Sequence, residues 1–448
     1  MEFLLHYTPI LYFTQSFWRD EAFSVLLAIR PLSEALKLTF EPPLYYFGLH
    51  FWILLFGTTE IAVRSFSLLA HVITTYILII WGEKLFKKNW LSWYLPVFFF
   101  LNPMLLYYAF EARAYALYVL FAVASLFCYS EKKWALFIAS TTLGLYTHAY
   151  MVFVPFVIAL HFALSNYRAF SKHNLNKYIH NPFIKSLTAI FILFTPWLIK
   201  LSGDIPKLKQ SWYFPVDFHL IKSVLANIFV GFEGTPDFLW PTTAKLSALL
   251  FCIFVFALLS RKNLKRNLLY FLLVFFPLTV VLGISYFKPL FVNRYVIPSV
   301  IAQVFLIVFA LENIQNSMLR KISGGIILVS TILFTFWYPA YNKKPDVRKN
   351  LLQVRALAGS QDVIMVDDAL LLYEAMYYLP KTTTIYWYNP KNYGFPWYIG
   401  DTIYSTSQSI NSIPLYPKRA FIVRIDGTYD ISYGSVITNS ATKKVIDK

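Results

Sequence analysis

Trp18-Arg19-Asp20-Glu21-Ala22-Phe23 is a charged knot just after the first apolar segment of a chain that is otherwise mostly apolar. Ionisable groups at a membrane boundary are costly to keep unless they pair or act. Two readings are open from the local sequence. The knot is a polar stop that ends a span, or Asp20 is the catalytic base of a membrane-embedded enzyme. Adjacent helical residues point about 100° apart, so in a helix Asp20 and Glu21 do not face one substrate together. One would enter a site while the other supports it.

The rest of the 448 residues sets the context: 58% are hydrophobic, 19% aromatic and 14% charged. Soluble domains carry about a quarter charged residues, so the composition points to a polytopic membrane protein. The net charge of +17 reads as topology signal in loops rather than as a nucleic-acid footprint, because no basic stripe or reading motif accompanies it. Cys128 and Cys252 both lie inside apolar runs. That argues against a disulfide framework and a cysteine-based metal site.

The segment before the knot, Phe3 to Phe17, is short for a span, lacks a basic flank and has no cleavage site of a secretory signal. The true initiator could lie upstream. After the knot, Ser24 to Phe40 has an apolar face through Leu26, Leu27, Ile29, Leu32, Leu36 and Leu38, the pattern of an amphipathic helix on the membrane surface. Pro42-Pro43 stops it. Leu44 to Phe56 is too short to span comfortably and reads as a second interfacial or re-entrant helix ending at Gly57.

Apolar runs follow at Ser65 to Trp81, Trp90 to Tyr108, Tyr115 to Tyr129, Trp134 to Tyr146, Val152 to Leu164, Leu187 to Ile199, Leu246 to Leu259, Leu268 to Tyr286, Val296 to Leu311 and Ile322 to Tyr338. With the first segment they make about eleven candidate spans. With the amino terminus inside, the inner loops hold Lys84, Lys87, Lys88, Lys132, Lys133, Arg168, Lys172, Lys177, Lys185, Arg261, Lys262, Lys265, Arg266, Arg320 and Lys321, against Glu83, Glu131 and Glu312. That basic bias fixes the orientation. Most other acids then fall outside, as a polar outward-facing site would require. Trp197, Trp212, Tyr213 and Trp240 flank the longest outer loop, more in the manner of interface anchors than of sugar platforms.

From Lys343 the texture changes. A helical pattern over Val347 to Leu357 precedes short β-branched runs at Val363 to Val366, Thr383 to Trp387 and Ala420 to Ile425. The expected fold class is therefore an all-α polytopic membrane protein, with interfacial helices and a small C-terminal α/β domain. Residues 1–342 form the membrane domain, with a first outer loop over 18–64. Residues 343–448 form the α/β domain, extracytoplasmic by alternation. It shows no glycine-rich phosphate loop.

Charged residues recur at the outer ends of spans. Glu111 and Arg113 follow Asn102 to Phe110; they form either a local ion pair of small energetic value or a phosphate-binding fork. Arg64 sits four residues after Glu60, the spacing of a plain helix pair. His148, in Tyr146-Thr147-His148-Ala149-Tyr150, suits a structural hydrogen bond or a phosphate contact. Arg294, in Asn293-Arg294-Tyr295, is a further anion-ligand candidate. The joint pattern suits a substrate with a lipid tail, a phosphate and a polar head. A transporter or flippase of lipid-linked sugars would also use boundary charges, but transporters more often show internal repeats and mid-membrane breaks, and no clear repeat is seen.

The motifs Trp18–Phe23 (WRDEAF), Glu41–Gly57 (EPPLYYFGLHFWILLFG), Ile61–Leu69 (IAVRSFSLL), Asn102–Leu117 (NPMLLYYAFEARAYAL), Tyr146–Tyr150 (YTHAY) and Asn293–Ser299 (NRYVIPS) resemble, in order and placement, the polytopic glycosyltransferases of the C-type fold. They are similar in particular to bacterial relatives of protein O-mannosyltransferases and of lipid A aminoarabinose transferases. The resemblance is dense over residues 17–150 and looser beyond. It implies a polyprenyl-phosphate sugar donor, a lipid, glycan or protein acceptor, surrounding membrane lipids and no nucleic acid. It also implies Asp20 as the essential carboxylate and general base, with Glu111 as a second catalytic acid. Glu21, Arg64, Arg113, His148 and Arg294 are the expected substrate-binding residues. No ligand spacing demands a metal, although the outward acids are compatible with a divalent cation.

Overall fold

The structure is a computed structural model, and it describes residues 7–39, 41–87, 89–166, 180–204, 216–231, 237–260, 263–340, 343–380, 382–394, 403 and 406–435. Phe40, Lys88, Arg168, Lys172, Lys177, Trp212, Tyr213, Glu233, Arg261 and Lys262 lie outside the described residues. In chain order the principal helices are α1 (Ile10–Thr14), α2 (Arg19–Ala28), α3 (Leu32–Leu38), α4 (Leu44–Phe56), α5 (Glu60–Phe86), α6 (Leu91–Phe100), α7 (Pro103–Ala109), α8 (Tyr115–Ser130), α9 (Trp134–Leu145), α10 (Phe153–Ser165), α11 (Pro182–Asp204), α12 (Phe218–Val230), α13 (Trp240–Leu258), α14 (Leu264–Phe287), α15 (Ile297–Asn313), α16 (Ser317–Trp337), α17 (Val347–Leu357) and α18 (Leu371–Tyr378). The strands are β1 (Val363–Val366), β2 (Ile385–Tyr388), β3 (Ser409–Ile410), β4 (Ala420–Val423) and β5 (Tyr429–Ser432).

The chain divides into two compact units, Met1–Thr14 with Ala35–Lys343, and Gln15–Glu34 with Lys344–Lys448. The first contains helices and, among the described residues, no strand. Among the described residues, six of its helices are long and apolar enough to cross a membrane: α5, α11, α13, α14, Asn293–Asn313 and α16. Six shorter apolar helices accompany them. Helix α15 is the axis of the core. Every residue from Ile297 to Leu311 is buried, as expected of a helix that is apolar all round. Helices α6, α8, α13 and α14 pack on it. Gly82 on α5 allows a close crossing with the start of α6, where a Cβ would come within 2.6 Å of the Ser92 carbonyl oxygen.

Among the described residues six helices, against about eleven expected spans, reach span length. The runs from Tyr115, Trp134 and Val152 form the shorter helices α8, α9 and α10. Three further differences lie in the first segment, the run from Trp90 and the long outer loop. Residues 3–6 of the first segment lie outside the described residues, and Ile10–Thr14 within it forms the five-residue α1. The run Trp90 to Tyr108 is broken into α6 and α7, because Asn102 leaves the helix and caps the next one, accepting from Leu105 N–H at 3.1 Å, with Pro103 at its first position. The long outer loop contains α12, whose residues Ser223 to Phe229 are buried against α13. Its 13 residues are too few for a span, so it does not register as one in the sequence.

The second unit is built on a five-stranded sheet of order β3-β2-β1-β4-β5. The β1 pairings to β2 and β4 are parallel, and β5 closes one edge antiparallel to β4. Strand β4 is buried throughout, the uninterrupted apolar run expected of a parallel strand covered on both faces. The division places Gln15–Glu34 with this unit rather than with the first outer loop. The physical reason is aromatic. Phe23 meets Tyr373 at 5.3 Å between ring centroids, and Phe17 meets Tyr377 at 4.9 Å. The Phe17 N–H also donates to the Tyr378 hydroxyl at 2.7 Å. Helix α2 thus packs on α18.

Candidate active site

In the helical unit, the loop between α3 and α4 carries Glu41 immediately before Pro42-Pro43. The prolines restrict the turn, and the Leu44 N–H donates to the Tyr146 carbonyl at 2.9 Å, tying this loop to the one that holds His148. The Arg113 guanidinium donates to Glu41 Oε1 at 2.7 Å. The Tyr46 hydroxyl donates to Glu41 Oε2 and accepts from Arg113 at 3.4 Å. Glu41 therefore receives donors on both oxygens while its side chain stays 42% exposed. Burial works against its charge, but Arg113, Tyr46 and His148 outweigh that effect and hold the carboxyl below its usual range.

Arg113 and Glu111 lie in the short bend between α7 and α8, and both are buried. The bend is tightened by the Arg113 N–H donating to the Glu111 carbonyl at 2.8 Å. Arg294 comes from the helical turn Asn293–Val296 that leads into α15. Two guanidiniums flank one ring: the Cζ of Arg113 lies 6.0 Å and that of Arg294 5.8 Å from the Tyr115 centroid, within cation–π range. Arg294 also lies 5.6 Å from the Tyr295 ring and bonds the Tyr108 hydroxyl.

His148 closes the cluster. Its ring stacks on Tyr118 at 4.6 Å with an interplanar angle of 7° and meets Tyr295 at 5.4 Å. Its Nδ1 accepts from the Tyr150 N–H at 3.3 Å. That bond places the proton of a neutral ring on Nε2. Burial, reinforced by Arg113 and Arg294 and opposed by Glu41, pushes the imidazole down to about 4. At neutral pH His148 is an uncharged donor, and the positive charge here rests on the two arginines.

The structure brings Glu111, Arg113, His148 and Arg294 into one neighbourhood. Arg64 lies on α5, fully buried, with its guanidinium donating to the Phe13 carbonyl at 3.1 Å. Asp20 and Glu21 belong to the other unit. There Glu21 is fully buried, accepts from the Trp18 N–H at 3.3 Å and pairs with Lys344 at 3.6 Å. It fastens the first turn of α2. Asp20, one residue earlier, is 25% exposed and lies 3.8 Å from Arg19 Nε. Sequence reasoning left Glu41, Tyr46, Tyr115 and Tyr295 out of the site. The signal for Glu41 was the Glu-Pro-Pro triplet, where two prolines pin an acid against a turn. Among the described residues, no group of three or more His, Cys, Asp or Glu side chains is arranged to hold a metal ion.

No protein-family model and no curated protein matches the sequence. Solved structures share its fold. ArnT from Cupriavidus metallidurans in the apo state superposes with a TM-score of 0.60 at 10% identity, covering 92% of this chain and 91% of that one. The same protein bound to undecaprenyl phosphate gives a TM-score of 0.61 at 11% identity, covering 94% and 91%.

Proposed function

We propose that the chain is a multi-pass glycosyltransferase of the plasma membrane. It moves a hexose or pentose from a polyprenyl-phosphate donor to a lipid, glycan or protein acceptor at the outer face, where the α/β unit also lies. The observation that carries this reading is the pair of arginines around Tyr115, with neutral His148 beside them, in a fold shared with a protein solved with undecaprenyl phosphate. Planar, permanently charged guanidiniums suit a phosphate that gains charge as it leaves.

In the proposed reaction Asp20 takes the proton of the acceptor hydroxyl as general base. The acceptor oxygen forms a bond to the anomeric carbon. The bond from that carbon to the phosphate oxygen breaks, and its electron pair leaves with polyprenyl phosphate. A single displacement inverts the anomeric centre. Arg113 and Arg294 stabilise the departing phosphate through charge-assisted hydrogen bonds. Glu111 supports Arg113 or orients the sugar.

The test is to incubate the purified protein with radiolabelled polyprenyl-phosphate sugars and candidate acceptors. Transfer of label with stoichiometric release of polyprenyl phosphate is expected. Movement of intact labelled donor across a sealed vesicle, with no release, would replace this reading with a flippase.

A further inference from the structure

Helix α12 carries none of the residues placed in the site, yet the two segments that bring in the arginines both hold it. It packs on α7, on the Asn293–Val296 turn and on α15. The first grip comes from Asn102, fully buried at the break between α6 and α7. Its Nδ2 donates to the Phe229 carbonyl at 2.9 Å, while its Oδ1 accepts from the Leu105 N–H at 3.1 Å. One side chain thus caps the start of α7 and serves the end of α12, where helical carbonyls lack an intrahelical partner. The second grip comes from Gln303 of α15, also fully buried, whose Nε2 donates to the Leu225 carbonyl at 2.9 Å. A carbonyl only accepts, so both amides are fixed with the nitrogen toward α12. The two carbonyls lie about one helical turn apart.

We infer that Asn102 and Gln303 are positioning residues for the phosphate site: they fasten the bend of Arg113 and the turn of Arg294 to one helix, and so set the spacing of the two guanidiniums. The inference rests on the reading of Arg113 and Arg294 as phosphate ligands. From Asn102 the chain runs through the short helix α7, buried throughout, into the bend of Glu111 and Arg113. The bend is held in turn by the Ser67 hydroxyl of α5, which donates to the Arg113 carbonyl at 3.3 Å. From Gln303 the chain runs back along α15, buried as far as Ile297, to the turn of Arg294. Both guanidiniums flank the Tyr115 ring, so a displacement of either segment changes the gap that a phosphate would fill. Misplacement by about 1 Å can cost on the order of a hundredfold in rate.

The experiment measures undecaprenyl phosphate binding and melting temperature for the full chain in lipid nanodiscs. Asn102→Asp keeps the cap on α7 and replaces the donor to α12 with an acceptor. Gln303→Met removes the other donor at nearly constant volume, and it carries the test if Asn102→Asp does not fold. Each is made alone and in the Arg113→Met and Arg294→Met backgrounds. Alone, each should weaken undecaprenyl phosphate binding about tenfold. With one arginine gone there is no spacing left to hold, so the same substitution should then cost about twofold or less. An equal loss with and without the arginine overturns the positioning role. So does binding at the wild-type level in the amide variants, whatever their melting temperatures, which would leave the two amides as packing elements only. Wild-type binding in Arg113→Met and Arg294→Met sinks the phosphate reading and this role with it. Weakened binding there, together with undiminished losses from the amide substitutions, sinks the positioning role alone.

Discussion

Two carboxyl groups, one in each unit, are pushed in opposite directions by their surroundings. Glu41 is partly exposed, and Arg113 and Tyr46 donate to its two oxygens, so it is held charged. Glu374 is almost fully buried, its nearby cations are engaged with other acids, and it is held neutral. The difference shows that burial alone does not set the state of an acid. The count of committed donors does. The two regions also differ in charge: positive charge around Tyr115 is fixed on Arg113 and Arg294, while α2 presents Asp20 and Glu21 beside Arg19 and Lys344.

The strongest way to break that separation is Asp20→Asn. If the carboxyl acts as base, turnover should fall by roughly 10²- to 10⁴-fold, with the KM for the donor little changed. A rise in donor KM with turnover intact would mean that Asp20 binds rather than reacts. Arg113→Met should act on the other side of the division. Loss of one charged hydrogen bond to phosphate predicts a drop of about ten- to a hundredfold in kcat/KM for the lipid donor, while acceptor KM stays near normal. Arg113→Lys should recover only part of it, since an ammonium cannot present a planar fork. Donor kinetics identical to wild type in both variants would remove Arg113 from the phosphate site.

Stability against pH sharpens the comparison, because the two acids carry opposite signs. Glu374 has a folded value near 8, above its unfolded value. The unfolded chain therefore loses its proton first, and stability falls as pH rises from about 4.5 to 8. Glu374→Gln should melt higher than wild type by an amount that grows across that window, on the order of a few kcal/mol at most, and vanishes below it. Glu41 is depressed, so its contribution is present at neutral pH and lost as pH falls below the ordinary carboxylate range. Glu41→Gln should therefore melt lower than wild type at pH 7 and converge with it in acid. The effect should be the smaller one, since the side chain is 42% exposed and solvent screens its ion pair. Shifts of the same sign in the two variants would dissolve the contrast.

Much of this was legible before any coordinates. The 3.6-residue pattern located α17 over Val347–Leu357 without a residue of error, and the β-branched runs found β1, β2 and β4, because these elements carry periodicity and bury one face or both. The motifs singled out Glu111, Arg113, His148 and Arg294, which the fold gathers into one neighbourhood. What was not legible depends on contacts far apart in sequence. Nothing in Gln15–Glu34 announces that its aromatic residues pack on Tyr373 and Tyr377, some 350 positions on. Helix α12 hid because its 13 residues are too few to register as a span. Glu41 was visible as an outer acid, but its partnership with Arg113 spans 72 positions, and only the fold could reveal it.

The smallest expected effect concerns Tyr46, whose hydroxyl donates to Glu41 and accepts from Arg113. Tyr46→Phe leaves the ion pair and the ring in place and removes one neutral link between them. A single hydrogen bond of this kind contributes about 1 kcal/mol net, so a loss of several-fold in donor kcat/KM is expected. Removal of the Tyr46 donor also weakens the hold on the Glu41 charge, so the acid limb of the pH profile should move toward neutral. A several-fold loss without that movement would mean that Tyr46 serves the shape of the site rather than the charge of Glu41, and the ionised state of Glu41 would then rest on Arg113 and His148.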